Sequence, residues 1–494
     1  MNRIPRIVIA APQSGSGKTL LTCALLEHFK RNGKNVMSYK CGPDYIDPMF
    51  HSRVIGVPSC NLDLFFLKEG ELRALFVQRF RETESELALV EGVMGLYDGL
   101  GGSSQEASTY HVAASLEAPI ILVVNARGMG RSLLPLLSGF LQYDTGKLIK
   151  GVILNQTGKA FYERMKEEVE RNLPITVLGY FPTTKELHLE SRHLGLKLPE
   201  EIEELQQQLA LAADSVEQSV DLEALWRIAH EAGHMDEGWE VRVCGREESE
   251  AEEPREKKFR TEGLRVKVSG MGASRTEIPV MGDACPILAV ARDEVFCFYY
   301  EENLRMLEQA GVRLVPFSPL HDKALPEGTC GILLGGGYPE LRVKELAENI
   351  SMLQSIRAAI RDGVPSVAEC GGFLYLHETL GDEAQGEYKM VGVIPGRAVK
   401  QSRLVRFGYV EIAEKATHFL PPGETIRGHE FHYYDSENNG TDCTARKPVG
   451  GREWECIQAS EKHWWGFPHL YYRSNPAFVR HFVEEVKKRS WRKN

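Results

Sequence analysis

Two stretches of this chain carry residue types that could do chemistry. The first, APQSGSGKT, occupies residues 11–19 and offers Gly15 and Gly17, which let backbone N–H groups turn toward a phosphate. Ser16 lies between them, Lys18 can reach the β and γ oxygens, and Thr19 can hold Mg²⁺. The loop opens a helical pattern, whose positive N-terminal end favours an anion. Pro12 stands where the full GxxxxGK[ST] pattern wants a glycine, so the match is incomplete. A simple tight turn is the alternative, and the strand before the loop favours nucleotide binding.

Carboxylates accompany the loop. Asp44 and Asp47 sit in YKCGPDYID, and Glu91 and Asp98 in LALVEGVMGLYDG. In an open parallel sheet the carboxyl ends of the strands border the ligand crevice, so Asp47 and Glu91 are expected beside the nucleotide and, with Thr19, its metal. For Asp98, capping a turn is an equal alternative.

The second stretch, VPSVAECGGFLYL, places Cys370 between an apolar strand and a helix, with Gly371 and Gly372 behind it. A sharp strand-to-helix turn exposes a thiol, and the next N–H can stabilise an oxyanion. Upstream, CGILLGGGYPE supplies Gly335, Gly336 and Gly337 as a source of a second oxyanion donor. The chain has ten cysteines, but Cys370 alone has this glycine context. A thiol needs a base, and His469, His429 and His432 are candidates that spacing alone does not separate.

The elements that must position these residues form two series. Apolar runs Ile7–Ala11, Leu87–Glu91, Pro119–Asn125, Lys150–Asn155 and Ile175–Tyr180 alternate with amphipathic segments, the signature of a mostly parallel sheet covered on both faces. A second αβ series starts near Pro286 with PILAVARD and continues through VRLVPF, CGILLGGG and VPSVAEC. The predicted fold is therefore α/β with two doubly wound domains, at residues 1–235 and 284–494, joined by a charged linker at 236–283. A length of 494 residues requires more than one core.

Composition narrows the functions. A net charge of −10 supplies no broad positive surface for nucleic acid, so an anionic ligand must be met locally. The cysteines form no CxxC or CxxH pairs, which argues against a zinc site or disulfide framework. No apolar run approaches the ~18 residues of a membrane span, and the N-terminal apolar run reads as a strand, so a cytoplasmic location is expected.

Together these segments resemble the cobyrinate a,c-diamide synthases, glutamine-dependent amidotransferases of corrinoid biosynthesis. The shared motifs are APxSGSGKT, YKCGPDYIDPMFH, VEGVMGLYDG, SRHLGL, ARDEVFCFYYEENL with FSPL, LGGGYPE, AECGG and RGHEFHYY, in order over nearly the whole chain. The resemblance implies an N-terminal P-loop NTPase-like domain of the dethiobiotin-synthetase kind and a C-terminal class I glutamine amidotransferase domain. It selects His469 as the base for Cys370, with the amides of Gly336 and Gly371 holding the oxyanion. It implies that ATP with Mg²⁺ phosphorylates acetate side chains of cobyrinate or hydrogenobyrinate, and that ammonia released from L-glutamine displaces the phosphate. Tyr45 and Asp47 would then lie near the corrinoid and phosphoryl group, assisted by Glu91 and Asp98. Arg192 and His193, or Arg403 and Arg406, would meet the acidic macrocycle.

One departure stands out. Many class I glutaminases carry a glutamate two residues beyond the catalytic histidine, and here Tyr471 occupies that place. Either another group orients His469 or a Cys–His dyad suffices. Two rival readings remain: a relative that amidates nickel-sirohydrochlorin, and a P-loop switch ATPase with a degenerate second domain. Gln13, standing where membrane-partitioning ATPases have a second lysine, weakens the latter. No nucleic-acid or membrane partner is expected, and a homodimer stays open.

Overall fold

The computed structural model describes residues 3–182, 199–235, 285–382 and 386–491. The charged linker and the pair Arg192 and His193 lie outside the described residues. Seven strands build the first sheet: β1 (Arg6–Ala10), β2 (Val36–Cys41), β3 (Ser59–Leu62), β4 (Leu87–Glu91), β5 (Ile120–Asn125), β6 (Ile149–Asn155) and β7 (Thr176–Phe181). Their order is β3-β2-β4-β1-β5-β6-β7, and the paired strands run parallel. β1, β2 and β4 are buried along their whole length because helices cover both faces. One face packs Val8, Tyr39 and Leu122. The other packs Ile7, Ile9 and Val123 against Leu21 and Leu25 of helix Lys18–Arg31 and Leu209 and Val216 of helix Pro199–Ser219.

The second half holds a six-stranded sheet in the order Arg313–Phe317, Ile287–Ala291, Thr329–Leu334, Ser366–Glu369, His463–Gly466, Gln458–Ala459. Its first five strands are parallel, and the last is antiparallel. Long apolar runs mark this parallel core in the sequence, whereas the sheet that leans on it lacks them. A five-stranded antiparallel sheet runs through Glu453–Cys456, Cys443–Arg446, Arg406–Glu414 and Thr425–His432 to the short strand His469–Leu470. His469 thus enters the molecule as an edge residue of that sheet, paired with His429.

The halves meet through specific contacts. Tyr409 Oη donates to Asp63 Oδ2 at 2.7 Å, Arg427 Nη1 to the Phe65 carbonyl at 2.6 Å, and Tyr300 Oη to the Pro43 carbonyl at 3.2 Å. Phe66 stacks on Tyr471 with centroids 4.8 Å apart, and Tyr300 and Tyr471 join the first half's apolar core.

Candidate functional site

The loop between β1 and helix Lys18–Arg31 has left-handed glycines at Gly15 (φ 74°) and Gly17 (φ 92°). Gly17 is also sterically required, since a Cβ there would stand 2.0 Å from Asn155 Nδ2. That amide donates to the Ser16 carbonyl at 2.7 Å, while Ser16 Oγ donates to the Gln13 carbonyl at 2.9 Å. β6 and the loop's own turn thereby fix its curvature. The Lys18 ammonium donates to the Met94 carbonyl at 2.6 Å. Burial, and then the charge of Lys40, lower its pKa to about 8.

Beneath the loop lies a charged cluster that the sequence reading only half saw. Strand register sets Lys40 of β2 directly across from Glu91 of β4. The Lys40 ammonium is 2.5 Å from Asp47 Oδ2 and 2.8 Å from Glu91 Oε1. Thr19 Oγ1 donates to the same Glu91 oxygen at 2.6 Å. His51 Nε2 stands 3.3 Å from Glu91 Oε2, and its Nδ1 is 2.9 Å from Ser38 Oγ. Glu91 and His51 have no exposed surface, and Lys40 and Asp47 are nearly as deep. Burial opposes the charge on Lys40, yet Glu91 and Asp47 together raise its pKa. Burial likewise opposes charge on Glu91, but Lys40 and His51 overcome it and hold that carboxyl well below its usual range. Asp47 moves the other way, pushed up by burial and the neighbouring Glu91 charge.

Thr19, Glu91 and Asp47, which the sequence singled out, are therefore together. They offer hard oxygen donors of the kind Mg²⁺ prefers, and Lys40 shows that a cation is accommodated between the two carboxylates. Among the described residues no three His, Cys, Asp or Glu side chains form a metal site, so an ion here would need the Thr19 hydroxyl and phosphate oxygens as well. Asp98 makes no hydrogen bond or ion pair with Lys40, Glu91 or Asp47, though its charge acts on Lys18. Its Oδ2 accepts from the Gly95 N–H at 2.9 Å, the turn-capping role. Asp44 similarly accepts from the Ile46 N–H at 2.8 Å.

Cys370 follows strand Ser366–Glu369 and precedes helix Gly371–Tyr375 with φ 46° and ψ −102°, a strained conformation for a residue with a Cβ. The strain is held by the Cys370 N–H on the Gly466 carbonyl at 2.9 Å and the Gly372 N–H on the Gly335 carbonyl at 2.9 Å. A Cβ on Gly371 would approach the Gly337 nitrogen to 3.1 Å, so the two glycine turns are in contact. A Cβ on Gly336 would stand 2.2 Å from the ring of His469, which places that histidine over the glycine turn. Asn303 fixes the strand that carries it, donating to the Leu470 carbonyl at 2.7 Å and accepting from the Tyr472 N–H at 2.8 Å.

Burial shifts the titratable groups here toward their neutral forms. The Cys370 thiol is pushed well up, first by burial and then by Glu340, with the Gly371 N–H pulling against them. His469 is lowered to about 3, and Glu369 is raised to about 8. Glu369 was not singled out from the sequence. Its Oε2 lies 3.9 Å from His469 Nδ1, and its Oε1 accepts from Tyr472 Oη at 3.2 Å.

Tyr45 lies at the contact of the two halves. Its ring packs on Tyr300 (4.3 Å), His469 (5.1 Å) and Phe298 (5.6 Å), all from the second half, rather than joining the cluster around Lys40. The reason is the short helix Ile46–Phe50, which turns Asp47 inward while Tyr45, at its N-cap, is left at the domain contact. Of the expected macrocycle arginines that lie among the described residues, Arg403 is exposed and Arg406 lies over the Trp454 ring at 4.9 Å. Arg53 and Arg292, one from each half, instead line a cavity of about 330 Å³ with Tyr45, Arg79 and Tyr299.

Residues 7–196 match the CobQ/CobB/MinD/ParA nucleotide binding domain, and residues 287–463 the CobB/CobQ-like glutamine amidotransferase domain. Curated relatives span nearly the whole chain. A cobyrinate a,c-diamide synthase of Caldanaerobacter subterraneus is 37% identical over 97% of both chains. That of Salmonella typhimurium is 36% identical over 97% of this chain and 98% of its own. One from Dehalococcoides mccartyi is 36% identical over 98% of each.

Proposed function

The chain belongs to the cobyrinate a,c-diamide synthase family, and on that footing we propose that it amidates the a and c acetates of cobyrinate or hydrogenobyrinate with glutamine nitrogen. Residues 1–235 activate the acid and residues 284–494 release the ammonia. An acetate oxygen attacks the γ-phosphorus of ATP, giving an acyl phosphate and ADP; ammonia then attacks the acyl carbon and phosphate leaves. Activation is needed because a carboxylate is a poor acyl acceptor.

Gly15, Ser16, Gly17 and Lys18 cradle the phosphates in this reading, and Thr19, Glu91 and Asp47 hold the Mg²⁺ that enters with ATP. The ion supplies charge neutralisation on the phosphoryl oxygens. Lys40 keeps Glu91 ionised in a buried position, which readies its oxygens for a cation. In the other half the Cys370 sulfur attacks the amide carbon of glutamine while His469 accepts the thiol proton and delivers it to the departing ammonia. Gly336 and Gly371 amides stabilise the oxyanion, and water later frees glutamate from the thioester.

The observation that carries the reading is segment 44–47. Asp47 sits at the phosphate cluster while Tyr45, two residues away, packs on His469, so both half-reactions share one short piece of chain. The experiment is Cys370→Ala, assayed with glutamine and with ammonium salts, counting the mass added per amide on candidate tetrapyrroles. Glutamine-driven amidation is expected to fall at least ~10³-fold and ammonia-driven amidation to persist. Equal loss with both donors would refute the division of labour, and turnover of nickel-sirohydrochlorin alone would refute the acceptor.

A further inference from the structure

The glutaminase reading leaves a physical gap. When His469 takes the thiol proton it becomes a buried cation, 4% exposed, and its Nδ1 has no hydrogen-bond partner. A buried cation without a counter-charge costs several kcal/mol. The position two residues beyond, where a carboxylate would answer this, is Tyr471, whose ring stacks on Phe66 at the domain contact.

Resting on the proposed glutaminase, we propose that Glu369, the residue immediately before the nucleophile, is the positioning residue for His469. Its Oε2 is the carboxylate oxygen found at His469 Nδ1, 3.9 Å away, with both side chains buried. Three features aim it there. Glu369 is the last residue of strand Ser366–Glu369, so the strain at Cys370 sends the thiol and the carboxylate off the same turn. Tyr472 Oη, at 3.2 Å, holds Oε1 and leaves Oε2 facing the imidazole. The Leu470 N–H also reaches the carboxylate, tying it to the strand that carries His469.

The remaining 3.9 Å is about 1 Å longer than a hydrogen bond, and catalytic bonds commonly close by that much when substrate enters. Once closed, Oε2 accepts the Nδ1 proton, fixes the tautomer with Nε2 free for the thiol, and offsets the imidazolium charge. The titratable groups facing Glu369 are Cys370, His469, Tyr45, Tyr299, Tyr300 and Tyr472, with no cation among these described neighbours. A glutamine at 369 keeps the size and the Tyr472 bond but loses the ionisation.

The test compares wild type, Glu369→Gln and Tyr472→Phe in glutamine hydrolysis over pH 5–10 and in ammonia-driven amidation. Glu369→Gln is expected to lower kcat for hydrolysis ~10²- to 10⁴-fold with KM within about twofold, and to erase a kcat step that wild type shows near its Glu369 ionisation. Ammonia-driven amidation, which bypasses this site, persists. Tyr472→Phe loosens only one carboxylate oxygen and lowers kcat about three- to tenfold. Wild-type kcat and pH profile in Glu369→Gln overturn the proposal, and so does loss of both activities together, which would make Glu369 a residue of the fold. Hydrolysis that survives Cys370→Ala sinks the glutaminase reading instead, so the two failures are distinguishable.

Discussion

The two sites solve burial in opposite ways. Around the phosphate loop, charges are buried and answered by other charges: Lys40 bridges Asp47 and Glu91, His51 backs Glu91, and Lys18 lies alongside. Around Cys370, burial holds a thiol, an imidazole and a carboxyl in their neutral forms. The first arrangement suits a site that must receive a polyanion and a metal at any moment. The second suits the nucleophile proposed at Cys370, whose thiol and neighbouring imidazole burial shifts toward their uncharged forms.

The largest effect is expected where that contrast is sharpest. Lys40→Met keeps the length of the side chain and removes its charge, leaving Asp47 without its cation and Glu91 with only His51 and Thr19. Breaking a buried pair on one side costs about 3–5 kcal/mol. Amidation should be lost with glutamine and ammonia alike, together with a large fall in Tm; a variant that melts like wild type would show that the cluster is not charged as described. Lys18→Met is the next step down. Its ammonium is only partly buried and bonded to one carbonyl within normal distance, so the fold should survive while phosphoryl transfer drops ~10²- to 10³-fold with either donor. Glutamine hydrolysis assayed alone should be far less affected, and an equal fall there would break the separation of the sites.

These two lysines also show what the sequence could and could not yield. Lys18 was legible because its motif is contiguous: a strand, a glycine loop and a helix start within residues 7–19. Cys370 was legible for the same reason. Lys40, His51 and Glu369 act through partners on other strands, and the order β3-β2-β4-β1 that sets Lys40 across from Glu91 is not written in any one segment. A signal existed for two of them. A lysine inside VMSYKC, a strand buried at every position, needs an anion, and a glutamate ending the apolar run before Cys370 needs a reason. The antiparallel sheet that delivers His469 went unread because its strands lack the long apolar runs of the parallel core, as the half-exposed Arg406–Glu414 illustrates.

Acid separates the halves more gently. In the second half burial lowers His377, His432 and His463 to about 4, and His429 and His469 to about 3. An unfolded histidine binds its proton near pH ~6.5, so below that value the unfolded chain takes up more protons and stability falls. Glu340 and Glu430, raised to about 7, and Glu369, raised to about 8, act oppositely: the folded state keeps their protons, and stability declines as pH rises from ~4.5 through those values. The second half should therefore be most stable near pH ~6. In the first half, Glu91 stabilises at all pH above ~4.5 and loses its effect only in stronger acid. Fluorescence-detected melts report chiefly on the second half, since Trp454, Trp464, Trp465 and Trp491 fall within residues 284–494, against Trp226 in residues 1–235 and Trp239 in the linker segment. A second half whose stability rose steadily from pH 6 to 9 would contradict the neutral site.

The smallest effect belongs to the residue that lies between the two regimes. Tyr45 carries no charge in either site, but its ring contacts His469 while its neighbour Asp47 contacts Lys40. An aromatic pair of this kind is worth about 0.5–1.5 kcal/mol beyond buried area, which corresponds to a few-fold change in a rate or an occupancy. Tyr45→Leu should keep the apolar packing against Tyr300 and Phe298 and lose the ring over the histidine. Each half-reaction measured alone should change less than about threefold. Their ratio is where the loss should appear: glutamates released per amide formed should rise about two- to fivefold, because the quiet state of His469 no longer depends on the segment that carries Asp47. If the ratio stays at its wild-type value while both half-reactions also hold, the two sites are joined only by the ammonia they exchange, and segment 44–47 is a spacer.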